Sequence, residues 1–111
     1  VCRYTNSMMT FANVGSLGAK PDKRDAVVEI LTRLNPDLIE AGCLLYEVGV
    51  RDDEPDTVFV VELWESEAAH KQSLQLQSVK DSINDAIPLL SGQFDGEHFT
   101  VLGSPLRNMP R

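Results

Sequence analysis

Residues 58–70, Val-Phe-Val-Val-Glu-Leu-Trp-Glu-Ser-Glu-Ala-Ala-His, constrain the fold more than any other stretch. A run of β-branched and aromatic residues ends on Trp64, and Ser66 followed by Glu67 has the composition of a helix start. A strand must therefore hand over to a helix with almost no loop between them. The rest of the chain can be placed around that junction.

Residues 8–17 alternate Thr10, Asn13 and Ser16 with apolar neighbours and read as a first strand closed by Gly18. Pro21 suits the first turn of a helix, and Asp22 and Asp25 place negative charge near the positive end of its dipole. Val27, Leu31, Leu34 and Leu38 then follow at helical spacing, so the pattern predicts a helix over 22–40 with one apolar face. Pro36 removes a backbone hydrogen bond and pushes Asn35 out of helical geometry, which predicts a kink or break there. Gly42 ends the helix, and Leu44, Tyr46, Val48 and Val50 give a second strand over 43–50 by period two. Residues 51–56 are charged, contain Pro55 and read as an exposed hairpin loop before the third strand, 58–64.

Ser66 is the expected N-cap of the next helix. Residues 71–77 are polar and ambiguous. A second start is expected at Ser78, where Ser-Val-Lys-Asp resembles a capping box and Val79, Ile83, Ala86, Ile87 and Leu90 form an apolar stripe. Pro88 and Gly92 are expected to end it. A last strand over 93–102 has Phe99 and Val101 on one face and His98, Thr100 and Leu102 on the other.

The order strand, helix, strand, strand, helix, strand is the ferredoxin-like βαββαβ pattern of an α+β domain. It predicts a four-stranded antiparallel sheet with two helices on one face. The opposite face would keep apolar residues that both helices are badly placed to cover, and laying two such sheets face to face gives a homodimer. The domain is expected over 8–103, with 1–7 as an N-terminal tail and 104–111 as a C-terminal tail that could cross onto a partner.

Ten basic against seventeen acidic residues give a formal charge of −7, which repels nucleic-acid phosphates and anionic lipid, so no nucleic acid and no membrane are expected as partners. No apolar run approaches the roughly 20 residues that span a bilayer. Cys2 and Cys43 make neither a disulfide framework nor a zinc site, which fits a reducing, cytoplasmic setting.

Residues 41–48, Ala-Gly-Cys-Leu-Leu-Tyr-Glu-Val, the acidic loop with Pro55, and residues 58–69 together resemble the antibiotic biosynthesis monooxygenase family. The resemblance runs over about residues 10–103. Its most specific elements are Gly42-Cys43-x-x-Tyr46 and Glu62-x-Trp64-Glu65-Ser66. It implies a dimeric α+β barrel with a pocket between helices and sheet in each subunit. For the oxygenases of the family it implies oxidation of a small aromatic, polyketide or quinol-type molecule by O₂ with no cofactor, neither metal nor flavin. A deprotonated hydroquinone or anthrone can itself reduce O₂, so the protein need only orient it, exclude water and accept a proton.

The chain departs from the quinol-oxidising relatives in one respect. Where they carry histidines nine and fourteen positions after the Trp, it has Ser73 and Ser78, and its histidine is at His70. Haem degradation is disfavoured: Asn13 could supply the first-strand Asn of that subgroup, but Trp64 ends a strand and no histidine follows in the second helix. A dimeric barrel that only binds a small hydrophobic ligand, of the stress-response type, is the rival in another class. An isomerase using His70 or His98 is a third.

His70, one turn into the helix after the junction, is the candidate catalytic base, with a solvent-facing histidine as the plain alternative. Asn13, Tyr46, Glu62 and Trp64 are the candidate substrate contacts. A carboxylate between Val61 and Leu63 must be paired, protonated or solvated, and Tyr46 is its natural partner if the hairpin register puts Tyr46, Glu62 and Trp64 on one face. Trp64 could stack an aromatic ring or could simply fill the core with its N–H satisfied nearby. Asn13 could bond a substrate oxygen or mark an irregular strand. His70 and His98 lack the companions of a metal site, so no metal ligand is assigned.

Overall fold

The computed structural model of the chain describes residues 9–107. The expected N-terminal tail, Met8 and residues 108–111 lie outside the described residues. The elements run β1 (Thr10–Ala19), α1 (Arg24–Leu31), α2 (Pro36–Glu40), β2 (Cys43–Arg51), β3 (Glu54–Trp64), α3 (Glu67–Ser73), α4 (Gln77–Ala86) and β4 (Leu90–Val101), with short 3₁₀ turns at Ile87–Leu89 and Pro105–Arg107. Sheet order is β2-β3-β1-β4 and every neighbouring pair is antiparallel. This is the ferredoxin-like arrangement, with each of its two helical connections split into two shorter helices.

The splits have local causes. Asn35, in extended conformation, caps α2 through its side-chain Oδ1, which accepts from the Asp37 N–H at 3.1 Å, and Pro36 occupies the first helical position, where a missing N–H costs nothing. The expected break near Asn35 is therefore present. Ser66 caps α3 as expected, its hydroxyl accepting from the Ala69 N–H at 3.0 Å.

Antiparallel partners share a face. The register sets Phe11, Asn13 and Leu17 of β1 beside Val58, Val60, Glu62 and Trp64 of β3, with Tyr46 and Val48 of β2 on the same side. Val58, Val60, Ala19 and Val27 of α1 form the core there, and Tyr46, Val48 and Leu31 pack against them. On the other face Leu45, Val61 and Phe99 stay 41%, 46% and 51% exposed, an apolar surface left uncovered by the described residues.

Several boundaries differ from the sequence expectations. Residues 20–23 form a turn with Asp22 at φ +67°, so α1 starts at Arg24, after Pro21. Leu34 does not continue the apolar face; α1 has ended at Leu31, helical spacing no longer applies, and Leu34 is 93% exposed. Pro55 belongs to β3, near its start, where β1 pairing has not begun and no ladder hydrogen bond is required of its nitrogen. Leu44 falls at a register shift between Cys43 and Leu45 and leaves the face of Tyr46 and Val48. Ser78 is not the cap of α4, because Leu76 holds that position and the Ser78 hydroxyl donates instead to Asp37 Oδ2 at 2.9 Å. Gly92, at φ +97°, lies inside β4 and not at a helix end. Among the described residues no helix is long and apolar enough to cross a membrane.

Candidate functional site

Val79 and Ile83 of α4 and Ile87 of the turn that follows, with Leu31 of α1 and Leu38 of α2, roof a space that they do not fill, a cavity of about 720 Å³ over the sheet. A smaller lobe of about 330 Å³ adjoins it over β1 and β4, and both are lined by Asn13, Tyr46 and Glu62. Two polar contacts hold the roof together, the Arg33–Asp85 ion pair at 2.9 Å and the bonds of Ser78 to Asn35 and Asp37.

The floor of the smaller lobe is bare backbone because Gly15 and Gly96 face each other across β1 and β4. A Cβ on Gly15 would fall on the carbonyl oxygen of Asp95, and one on Gly96 would come within 2.8 Å of the Val14 carbonyl oxygen. The strands approach this closely only because neither residue has a side chain.

Glu62 is the centre of the polar site. Its Oε1 accepts from Trp64 Nε1 at 2.9 Å and its Oε2 from Asn13 Nδ2 at 3.1 Å. His70 Nε2 lies 3.9 Å from Oε1, with the His70 side chain 19% exposed and that of Glu62 13%. The His70 ring is held between aromatics, edge-on to Trp64 at 5.4 Å and tilted against Phe11 at 5.6 Å. Taking this carboxylate from water is offset by two hydrogen bonds and a nearby imidazole.

The five residues singled out in the sequence thus meet on one side of the sheet. Asn13, Tyr46, Glu62 and Trp64 arrive on three adjacent strands, and His70 on the helix that Ser66 starts. Trp64 is only 1% exposed, so most of it is core, and it reaches the cavity as part of one wall. The hydrogen bonds to Glu62 come from Trp64 and Asn13 and not from Tyr46, although Tyr46 stands opposite Glu62 in the register. His98 is the cross-strand partner of Asn13 and flanks Phe11 at 5.7 Å, outside the Glu62 contacts. Phe11 was not singled out in the sequence; its signal was the period-two relation to Asn13.

Ser73 and Ser78 both line the cavity. The buried Ser73 hydroxyl donates to the His70 carbonyl at 2.6 Å, and Ser78 is tied to the roof. Cys43 is pushed up in pKa chiefly by burial, with the Glu62 charge adding to it.

Tyr46 is pushed well above the ordinary tyrosine range, first by burial and then by the Glu62 charge. In the unfolded chain a tyrosine releases its proton near about pH 10. A raised folded pKa contributes stability that is complete below that value and is lost as pH rises toward the folded one. In urea titrations at a series of pH values, the fall in stability between about pH 9 and pH 11 is expected to be smaller in Tyr46→Phe than in wild type. Identical falls would show that Tyr46 ionises freely.

A sequence model of the family described as antibiotic biosynthesis monooxygenase matches residues 10–84, a span that begins with β1, ends in α4 and includes all five site residues. A candidate antibiotic biosynthesis monooxygenase from Chloroflexus aurantiacus is similar at 30% identity over 86% of this chain and 95% of its own, with a TM-score of 0.69. A Shewanella oneidensis protein is 29% identical over 84% of this chain and 91% of its own, with a TM-score of 0.71. A Pseudomonas aeruginosa protein, 18% identical over 89% of this chain and 100% of its own, shares the fold at a TM-score of 0.75. No curated protein matches the chain.

Proposed function

We propose that this chain, which belongs to the antibiotic biosynthesis monooxygenase family, oxidises a small electron-rich aromatic, of the hydroquinone or anthrone type, with O₂. The observation that carries this reading is the Glu62 carboxylate, 13% exposed at the edge of an apolar cavity, with His70 Nε2 3.9 Å away. A cavity of about 720 Å³ is of a size for a molecule of two or three fused rings.

In this reaction His70, oriented by Glu62, Trp64 and Phe11, accepts the acidic proton of the substrate. The deprotonated ring is the reductant. One oxygen atom of O₂ is retained by the substrate, and the other leaves as water with the two hydrogens that the substrate gives up, so atoms and electrons balance without a further reductant. The helical roof keeps solvent from the intermediate.

Oxygen uptake with a panel of hydroquinones and anthrones tests the reading. Wild type is expected to exceed the spontaneous rate, and His70→Ala to lose about 10²-fold or more of kcat/KM, the usual contribution of a positioned base. Uptake at the spontaneous rate in both proteins would sink it. That outcome would favour a barrel that binds a small hydrophobic ligand without chemistry. The hydroxyls of Ser73 and Ser78 support that second reading, since both are engaged within the protein.

A further inference from the structure

We propose that Tyr46 determines specificity in the cavity: its hydroxyl donates a hydrogen bond to an oxygen of the bound ring, a carbonyl or the oxyanion left when the ring loses its proton. The proposal rests on the functional reading above for the kind of ring it considers, and its test needs no turnover.

Tyr46 stands opposite Glu62 across β2 and β3, yet the bonds to the two carboxylate oxygens come from Trp64 and Asn13. The Tyr46 hydroxyl has no hydrogen-bond partner among the described residues, and among those residues no side-chain polar atom that is sealed from solvent lacks one. The hydroxyl therefore reaches open space. That space is the cavity, since Tyr46 lines both of its lobes. The ring beneath packs against the core of Val58 and Val60, which fixes where the hydroxyl stands.

Burial and the Glu62 charge both oppose ionisation of Tyr46, so it meets a ligand with its proton in place. A phenol is a better donor than acceptor, because its oxygen shares a lone pair with the ring. A ligand that displaces water from this hydroxyl must bring an acceptor or leave the donor unpaired.

The charge balance of the cavity points the same way. When His70 takes a proton, the ring is left negative in a site that already holds the Glu62 carboxylate. Among the described residues lining the cavity the one fixed cation, Arg33, is paired with Asp85 at 2.9 Å. Neutral donors must then hold the new charge. The His70 ring is committed to the proton, and Ser82 lines the larger lobe alone. Tyr46 lines both lobes, as does Asn13, whose second amide hydrogen adds to it.

Calorimetric titration of wild type and Tyr46→Phe with 1-tetralone, a two-ring ketone, and with tetralin, the same frame without the oxygen, tests this. Tyr46→Phe is expected to weaken 1-tetralone about 10-fold and tetralin by less than about twofold. The infrared C=O stretch of bound 1-tetralone is expected at lower wavenumber in wild type than in the variant, a change that altered packing alone does not produce. Circular dichroism checks that the variant is folded. Where it is not, wild type decides: with tyrosine labelled by ¹³C at the hydroxyl-bearing carbon, and the signals of Tyr4 and Tyr46 assigned through Tyr4→Phe, the Tyr46 signal is expected to move further with 1-tetralone than with tetralin.

Equal losses for ketone and hydrocarbon in folded Tyr46→Phe, an unchanged C=O stretch, or equal movement of the Tyr46 signal with both ligands would overturn the proposal, as would failure of 1-tetralone to bind wild type. Ketone selectivity through Tyr46 without oxygen uptake from hydroquinones or anthrones supports it as ligand recognition while removing the oxygenase reading. Oxygen uptake without that selectivity does the reverse.

Discussion

Replacing Trp64 with alanine is expected to lower stability by about 3–5 kcal/mol, read as a lower urea midpoint at neutral pH. Trp64 is the largest fully buried side chain, and it also supplies the hydrogen bond to Glu62 Oε1. Truncation leaves a large void at the end of β3 and withdraws a donor from a carboxylate that is mostly out of water. Whole domains are stable by only about 5–15 kcal/mol, so this variant would be marginal at best. Trp64→Phe separates the two effects: it keeps most of the ring volume and loses only the N–H. A loss below about 1 kcal/mol for the alanine variant would contradict the core placement of the ring.

The second large effect is expected at Gly15. A Cβ there would fall on the Asp95 carbonyl and lie 2.9 Å from the Gly96 Cα, and both neighbours are backbone in a paired strand that cannot move aside without parting β1 from β4. Gly15→Ala should therefore cost about 3 kcal/mol, the upper part of the usual range for overpacking. Gly49 supplies the control, since a Cβ there meets nothing within 4 Å and Gly49→Ala should change stability little. Equal urea midpoints for the two variants would show that the strands at Gly15 have room to spare.

Much of this architecture was legible because its signals are local. Asn35-Pro36 and Ser66 mark helix starts through bonds made within three residues, and period two places Tyr46 and Val48 on the core side of β2. Gly92, Leu34 and Ser78 depart from their local signals for a common reason. Each has a residue type with a strong local meaning, but a non-local circumstance decided its role: the bulged β1–β4 pairing, the early end of α1, and the Asn35 and Asp37 side chains across the cavity.

The site was legible as a set of residues and not as a set of bonds. The Tyr46 to Glu62 register was available from the hairpin, yet the amide of Asn13 bonds Glu62 from 49 residues away on a strand whose offset no short-range signal specifies. The Glu62–Trp64 bond joins residues two apart on one strand face, so period two could have revealed it.

Three of the four residues that make the polar cluster, Asn13, Glu62 and Trp64, belong to adjacent strands, whereas Leu31, Leu38, Val79 and Ile83, which line the same cavity, belong to helices. The polar groups of the cavity and the room above them are thus held by different layers. Exchanging a roof leucine for a larger or smaller side chain redraws the cavity and leaves the carboxylate and its two partners where the sheet sets them. A single substitution in the roof thus alters the cavity's shape without dismantling the hydrogen bonds of Glu62 to Trp64 and Asn13.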